Sequence, residues 1–262
     1  MQAAITLDLE PDHAGRAEPS YDGWEPRRVA ELCALLKRYK APLTIFVVAE
    51  SLRARPDTIE LFRGAGAEFH LHSFSHDLAQ PDSLDEIRRG KEVFASVFGA
   101  APAGYRAPEG RISEAGWQRL EAEGFRFDSS IFPSFWPRPS YLRYTPAPFV
   151  PAGTRLLELP ISTVTRARLI VSLSWFKLLG FGVYRSALET GPLPEPLVFD
   201  MHLHDLWKLP AFDRLPQPWR AIYSRNQMSG LAMLEEFLAL LEKRGATFTT
   251  LGAVAEKGRL AA

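Results

Sequence analysis

The chain has 262 residues, and its 31 lysines and arginines are balanced by 31 aspartates and glutamates, giving a formal net charge of zero. A nucleic-acid-binding protein normally carries a basic excess, so the balance excludes nucleic acid as an expected partner. Hydrophobic residues make up 46% of the chain and charged residues 24%, which is ordinary for a soluble globular protein.

Short runs rich in β-forming residues alternate with helical runs along the whole chain. The run at 43–48 is apolar throughout, as strands buried in a parallel sheet are. Ser83 and Glu86 have the spacing of a capping box at the start of a helix. The predicted strands span residues 3–9, 43–48, 68–72, 103–106, 126–129, 156–161, 197–202 and 247–251. The predicted helices span residues 25–39, 55–65, 83–98, 113–123 and 229–244.

This alternation of strands and helices predicts an α/β fold with a parallel sheet. The number of strands favours a barrel over a short open sheet. Residues 132–151 and 206–219 are interpreted as long ordered loops. Because no linker divides the chain, we expect residues 1–262 to form a single domain.

The N-terminus and the most apolar segment bear on the location of the protein. The first residues lack the basic start and long apolar core of a secretory signal, so we expect a cytoplasmic protein. Residues 169–184 are the most apolar segment, too short for a bilayer, which needs about 20 apolar residues. We interpret this segment as a buried helix, with contact to a membrane surface as the alternative. The single cysteine, Cys33, lies in a helical apolar pattern and is expected to be buried.

Histidines and carboxylates collect at the C-terminal ends of the predicted strands, where active sites form in parallel α/β folds. The first strand ends in three carboxylates, Asp8, Glu10 and Asp12, followed by His13. Carboxylates this close repel one another unless a cation or a proton intervenes. The segment is therefore either part of a metal site or a solvated acidic turn.

The third strand leads into a pair of histidines, His72 and His76, four residues apart. Histidines at this spacing can share one face of a helical turn and bind one metal ion, or they can be a surface pair. Two imidazoles and one carboxylate form a site with open positions, which suits a hydrolytic metal. We expect His70, on the same strand face as His72, to pack or to support the site rather than to bind the metal.

Three later strand ends also carry polar side chains. Arg106 is placed to hold a carboxylate through bidentate hydrogen bonds, although an arginine before a turn is common on surfaces. Asp128 follows the next strand and is a weaker candidate. Residues 198–206 bring two histidines and two aspartates to one edge. One of His202 and His204 can act as a general acid, and the other is then a core histidine.

These five segments, in this order, resemble the polysaccharide deacetylase family, carbohydrate esterase family four. The second and third segments match the family motifs His-Ser/Thr-x-x-His and Arg-x-Pro-x-Gly fully. The first departs from the commonest form, which has two adjacent aspartates, and the fifth departs as well. The five segments are residues 7–10 (LDLE), 72–76 (HSFSH), 106–110 (RAPEG), 128–130 (DSS) and 201–205 (MHLHD).

The resemblance implies a fold and a metal ion. The fold is a distorted (β/α) barrel with about seven parallel strands, and the cofactor is one divalent metal ion, with Zn²⁺ expected first. Carried onto this sequence, the metal ligands are Glu10, His72 and His76. Glu10 is favoured over Asp12 as the metal carboxylate because a spacing of two places it on the strand face of Asp8.

The resemblance also implies the catalytic roles. Asp8 is the general base that acts on water, Arg106 orients Asp8, and His202 protonates the leaving amine. His204 is the alternative for the acid, and His202 is preferred because residues 202–206 look like the strand end of one subgroup of the family.

The function implied is the hydrolytic removal of an N-acetyl group from an amino sugar in a glycan or a glycan precursor. A cytoplasmic location favours a substrate linked to a nucleotide or a lipid. Two alternatives stay open: an amidohydrolase of the same fold that acts on a non-sugar amide, such as a cyclic ureide or a formamide, and a catalytically inactive binding barrel. The oligomeric state is not predicted. Aromatic residues in the loops either stack on sugar rings or cap the barrel, namely Phe132, Phe135, Trp136, Tyr141, Trp207 and Trp219.

Overall fold

The structure is a computed structural model that describes residues 1–11, 19–135, 138–226 and 230–260. It contains a sheet of eight parallel strands and a two-stranded antiparallel sheet. In chain order the strands are β1 (Gln2–Leu9), β2 (Leu43–Val47), β3 (Glu68–Leu71), β4 (Gly104–Tyr105), β5 (Phe127–Asp128), β6 (Leu157–Glu158), β7 (Thr163–Val164), β8 (Leu169–Ile170), β9 (Leu197–His202) and β10 (Thr247–Thr249). The α-helices are α1 (Pro26–Arg38), α2 (Pro56–Gly64), α3 (Leu84–Phe98), α4 (Glu114–Ala122), α5 (Leu173–Leu179), α6 (Phe181–Thr190), α7 (Leu203–Leu206), α8 (Trp219–Ser224), α9 (Gly230–Lys243) and α10 (Leu251–Leu260).

Strand β1 lies at the centre of the large sheet. Strand β9 pairs with residues 3–8 of β1, while β10 pairs with residues 2–4 and β2 with residues 5–9 on the other edge. Strands β3, β4, β5 and β6 then follow β2 in sequence order. This is the curled, barrel-like sheet of about seven parallel strands that the sequence predicted, with β10 as a short addition beside β1.

The segment after β6 lies between β6 and β9 of the curled sheet. The backbone N–H of Ser162 donates to the carbonyl of Val198 at 3.0 Å, and the N–H of Val198 donates to the hydroxyl of Ser162 at 2.8 Å. Ser172 forms a parallel bridge to Asp200 in β9. These contacts connect β6 to β9 through loop backbone and a side chain, which explains why the barrel is distorted.

Each of the thirteen predicted elements overlaps an observed one, and most ends differ by one to three residues. The last predicted strand, 247–251, was too long because Leu251 begins α10. The first N–H groups of that helix are held by distant side chains: Leu251 donates to the hydroxyl of Thr44 and Gly252 donates to the carboxylate of Glu68. A cap made by residues so far away in sequence has no local signal.

The apolar segment 169–184 is not the single buried helix that the sequence predicted. It consists of β8, α5 and the start of α6. Helix α5 ends before Gly180, whose φ of 89° lies in the left-handed region that favours glycine. Phe176 and Tyr184 are fully buried, so the expectation of burial was right. In the described part of the chain, none of the helices combines the length and the apolar character that crossing a membrane requires.

We predict that Gly104→Ala destabilises the fold, because a Cβ at Gly104 would lie 2.2 Å from the ring of Phe127. That ring is buried and packs against Phe46 and His70, so it has little room to move. Overpacking of this kind should lower the free energy of unfolding by about 1–3 kcal/mol, which urea unfolding measures. Gly64→Ala is the matched control, since nothing lies within 4 Å of its added methyl group. Equal stability of the two variants would contradict this packing.

Candidate active site

One cleft of about 670 Å³ lies at the carboxyl ends of the central strands. Asp8 and His202 are directly opposite each other in the pairing of β1 with β9. Glu10 follows the end of β1, and His72 follows the end of β3. The cleft is lined by all four of these side chains and by Asp200. The parallel sheet therefore brings together residues that are far apart in sequence.

Glu10, His72 and His76 form a group whose ligand atoms all lie within 4.8 Å of one another. The Nε2 atom of His76 is 2.9 Å from the Oε2 atom of Glu10, and Nε2 of His72 is 3.7 Å from the same oxygen. Two atoms that bind one zinc ion tetrahedrally at about 2.0–2.1 Å lie roughly 3.3 Å apart. All three side chains are at most 6% exposed. The spacing and the donor types fit one divalent ion.

The hydrogen bond of His72 fixes which of its ring nitrogens faces Glu10. Its Nδ1 atom is 2.7 Å from the backbone carbonyl of Arg106, and because a carbonyl only accepts, Nδ1 carries the proton. The lone pair of Nε2 then faces the carboxylates, as a metal ligand requires. Burial would raise the pKa of Glu10, but the charge and hydrogen bonds of the neighbouring histidines, His76 first, hold that pKa well below its usual value.

The two histidines do not share a face of a helical turn, as their spacing suggested. The chain between them is an irregular loop in which Ser73 and His76 both have a φ of 64°, in the left-handed region. Such backbone is unfavourable for residues other than glycine and persists where surrounding contacts hold it. The hydroxyl of Ser73 accepts from the N–H of His76 at 3.0 Å.

The carboxylate of Glu86 holds the outside of the same loop. It accepts hydrogen bonds from the N–H groups of Phe74 and Ser75, at 3.1 and 2.9 Å, and from the hydroxyl of Ser75 at 2.7 Å. The predicted capping box is thus only half formed: Ser83 does accept from the N–H of Glu86, but the Glu86 side chain turns to the loop. The spacing of Ser83 and Glu86 predicted that the Glu86 side chain would cap the helix, but this side chain binds the neighbouring loop instead.

Arg106 is fully buried beside Asp8. Its Nη1 atom donates to Oδ1 of Asp8 at 2.7 Å, to Oδ1 of Asp200 at 3.0 Å and to the hydroxyl of Thr6 at 2.9 Å. Its Nε and Nη2 atoms donate to the carbonyl and the hydroxyl of Ser129. The carboxylate of Asp8 is therefore held in one orientation.

The sequence analysis did not select Asp200. Burial and the neighbouring carboxylate of Asp8 raise the pKa of Asp200 to about 7. The two carboxyl groups share the guanidinium of Arg106, so near neutral pH one proton offsets part of their repulsion. A signal was present in the sequence, because Asp200 precedes His202 by two residues and so shares its strand face.

His202 is held by Asp205, three residues later. Its backbone N–H and its Nδ1 atom lie 3.0 and 3.1 Å from Oδ2 of Asp205. That oxygen also accepts from the hydroxyl of Ser174 at 2.7 Å, and Nζ of Lys177 is 3.8 Å from Oδ1. Burial disfavours the charged imidazole, but the carboxylates of Glu10 and Asp205 outweigh it and raise the pKa of His202 well above its usual value.

His204 lies directly against His202, with the two rings stacked at a centroid distance of 4.6 Å. It is 4% exposed, whereas the side chain of His202 is 17% exposed to the cleft. Both histidines come within 4.8 Å of Glu10 in a second group of candidate metal ligands. The preference for His202 as the acid, like the role of each other predicted site residue, stays a prediction.

The remaining candidates lie apart from this centre or outside the described residues. His70 packs between the rings of Phe46 and Phe127 and lies 3.2 Å from Glu68, in accord with the expected packing role. Asp12 and His13 lie outside the described residues.

Asp128 is buried beside Glu158 and accepts hydrogen bonds from Trp117 and Ser130, so it is part of the support beneath the Arg106 loop. Burial and the neighbouring charge of Asp128 raise the pKa of Glu158 well above its usual value.

The aromatic loop residues divide between the cleft and the core. Phe132 and Trp219 line the cleft. Tyr141 is buried and donates a hydrogen bond to the carbonyl of Gly110, so it packs the fold. Phe135 is 67% exposed, Trp207 packs against the core, and Trp136 lies outside the described residues. The cleft also contains two aromatic residues that the sequence analysis did not select, Trp175 and Tyr223.

Comparison with known sequences agrees with this geometry. Residues 16–127 match the family described as polysaccharide deacetylase. Over this stretch the chain is similar to the family. It is 27% identical to a peptidoglycan deacetylase of Helicobacter pylori over 107 residues, which are 39% of this chain and 36% of that protein. It is 21% identical to a peptidoglycan-N-acetylglucosamine deacetylase of Bacillus cereus over 160 residues, 58% of this chain and 56% of the relative. The match therefore spans only about a third to a half of the length of these relatives.

Solved structures share the fold over almost the whole chain. A Mycobacterium smegmatis protein assigned as a polysaccharide deacetylase superposes with a TM-score of 0.66 at 21% identity, covering 99% of this chain and 90% of the other. Puue allantoinase superposes with a TM-score of 0.60 at 19% identity, covering 97% of this chain and 89% of the other. The predicted distorted (β/α) barrel is thus confirmed as the fold.

We predict that the wild-type protein binds about one divalent metal ion per chain and that the double variant His72→Ala, His76→Ala binds none. Elemental analysis after incubation with zinc, cobalt or nickel measures this directly. His70→Ala is the matched control, because His70 packs between phenylalanine rings and should leave the metal content unchanged. Absence of metal from the wild type under all three conditions would refute the site.

We predict that Glu86→Ala weakens zinc affinity by about 10–100-fold, because the loop that carries His76 loses three hydrogen bonds. Glu86→Gln should retain most of the affinity, since an amide oxygen still accepts from the two N–H groups. Asp85→Ala is the control, as this neighbouring carboxylate is exposed and contacts Arg89. Competition with a chromogenic chelator measures the affinities, and equal values for Glu86→Ala and Asp85→Ala would contradict the role of the loop contact.

Proposed function

We propose that this protein is a metal-dependent hydrolase that removes an N-acetyl group from an amino sugar in a glycan or a glycan precursor. One observation carries the proposal: Glu10 and His72, which form a candidate metal site with His76, line the same cleft as an oriented carboxylate, Asp8, and a histidine held by Asp205, His202. The names of the relatives, which describe deacetylation of peptidoglycan, support the same substrate class.

Glu10, His72 and His76 are the residues that would hold the metal ion, and Zn²⁺ suits their nitrogen and oxygen donors. A divalent ion bound there supplies Lewis acidity, which polarises an amide carbonyl and makes water a better nucleophile near neutral pH.

Asp8 is the proposed general base. Its Oδ2 atom lies 3.9 Å from Nε2 of His72, so the carboxylate is next to the candidate metal ligands, while Oδ1 is held by Arg106. The free oxygen is available to take a proton from water as the water oxygen bonds to the acyl carbon. Arg106 restricts the rotation of the carboxylate and limits the entropy lost in reaching the reactive geometry.

His202 is the proposed general acid. The carboxylate of Asp205 favours the protonated imidazole, and the hydrogen bond of Nδ1 to Asp205 leaves Nε2–H for the substrate. When the carbon–nitrogen bond breaks, the amine nitrogen takes this proton. The products are acetic acid, which ionises to acetate, and a free sugar amine. Transfer of the proton from Asp8 to His202 through solvent then restores both groups.

The carbohydrate partner is proposed to be linked to a nucleotide or a lipid and to be processed in the cytoplasm. Two features support the lipid alternative and a membrane-surface contact. Segment 169–184 carries the exposed Val183 on α6. The same segment provides Trp175 and Leu178 to the cleft.

A second candidate function is hydrolysis of a non-sugar amide, such as a cyclic ureide or a formamide. The fold likeness to Puue allantoinase favours it, because that protein shares the barrel over most of this chain. The proposed base, acid and metal ligands act on any accessible amide, so the surrounding cleft decides between these substrates. An inactive binding barrel is the third reading.

We predict that the zinc-loaded wild type releases acetate from N-acetylglucosamine oligomers or from peptidoglycan fragments. Asp8→Asn and His202→Gln should each lower kcat by about 10²–10⁴-fold, because each removes one proton-transfer group. Asp8→Asn should still bind zinc, which separates loss of the base from loss of the metal. Asp57→Asn, an exposed carboxylate on α2, is the control.

The same assay distinguishes the alternatives. Hydrolysis of allantoin or of an N-formyl compound, with the acetylated sugars inert, would support the non-sugar amidohydrolase. Absence of any hydrolysis with metal bound would overturn both enzyme proposals and leave the binding barrel.

A further inference from the structure

The cleft has a second surface that the proposed chemistry does not use. It is formed by side chains of α5, of α8 and of the loop after β5, and each of them is only partly buried by the rest of the chain. We call this surface the apolar wall. It consists of Phe132, Trp175, Leu178, Trp219, Ile222 and Tyr223.

The apolar wall lines the same cavity as Asp8 and two of the candidate metal ligands, Glu10 and His72. The cleft measures about 670 Å³, a size that accommodates an organic ligand much larger than an acetyl group. An acetyl group fills only roughly two water volumes of about 30 Å³ each. Because one cavity contains both sets of residues, there is room for a substrate bound beside Asp8 and Glu10 to extend to the wall.

The composition of the wall indicates which part of a substrate it contacts. Aromatic rings alone would suit stacking on a sugar ring. Leu178 and Ile222 have no polar side-chain atom and offer nothing to sugar hydroxyl groups. Such side chains bind aliphatic groups, because contact removes apolar surface of both partners from water.

Helix α5 connects the wall to the catalytic end of the cleft. Ser174 and Lys177 contact Asp205, which holds His202. Trp175 and Leu178, each one residue later, line the cleft itself. The apolar wall therefore lies beside the support of the proposed acid.

We propose that the apolar wall binds an aliphatic group of the substrate, which is then an amphiphilic N-acyl amino sugar. The aliphatic group is carried either by the glycosidic oxygen or by the acyl group, since both present the same chemistry to the wall. This inference rests on the proposed deacylation, with which it shares the cleft.

The test compares three ligands for the zinc-loaded wild type by isothermal titration calorimetry. They are the methyl glycoside of N-acetylglucosamine, its hexyl glycoside, and the methyl glycoside of N-hexanoylglucosamine. At least one six-carbon ligand should bind about tenfold or more tightly than the methyl glycoside. The ligand that gains affinity identifies the source of the aliphatic group. Equal affinities of all three would overturn the proposal without any variant being needed.

The double variant Leu178→Ser, Ile222→Ser should reduce this gain to less than about threefold and leave binding of the methyl glycoside unchanged. Val183→Ser is the matched control, since Val183 is an apolar residue of the next helix, is 53% exposed and does not line the cleft. A gain that survives in the double variant would assign the aliphatic group to another surface and overturn the role of the wall.

Acyl release is measured separately for the same ligands. If none is hydrolysed but the six-carbon ligand binds more tightly and loses its gain in the double variant, the proposed function fails while the apolar subsite stands. If the methyl glycoside is hydrolysed and chain length has no effect on affinity, the proposed function stands and this inference fails.

Discussion

The burial of one positive charge, the guanidinium of Arg106, is the constraint on which the site depends. A buried cation is tolerated only where carboxylates and other acceptors satisfy it, and removing one partner would leave an uncompensated charge. Here it is surrounded by Asp8 of β1, Asp200 of β9 and Ser129, which directly follows β5. The backbone carbonyl of Arg106 accepts a hydrogen bond from His72. The contacts that orient the proposed base therefore also orient a candidate metal ligand.

The cleft has charged and apolar parts. Besides the groups around Asp8 and Asp205, the charged side chains of Glu109, Arg111 and Arg138 line it, and the apolar wall lines the same cavity. Helix α5 serves both parts, because Lys177 contacts Asp205 while Leu178 lines the cleft. The proposed amphiphilic ligand would place its amide beside Asp8 and Glu10 and its aliphatic group against the wall.

Local patterns in the sequence were sufficient for most of the secondary structure and for the fold class. Burial periodicity, glycines at helix ends and the apolar run of β2 are properties of neighbouring residues, so they predicted the alternating strands and helices. They failed where distant groups decide, as at the start of α10, which is capped by Thr44 and Glu68. They also failed to predict the irregular loop that contains Ser73 and His76, because Glu86 of α3 holds that loop.

The sequence by itself determined which chemical groups stand at the ends of the strands, because strand ends and residue types are both local information. It placed Asp8, Glu10, His72, Arg106 and His202 at one edge, and the structure brings these side chains together. Only the tertiary structure decided their partners. Contacts such as that between Arg106 and Asp200 join residues 94 positions apart, and no spacing rule encodes which distant donor meets which acceptor. The curvature of the sheet sets those pairs, and with them the orientation of each group in the cleft.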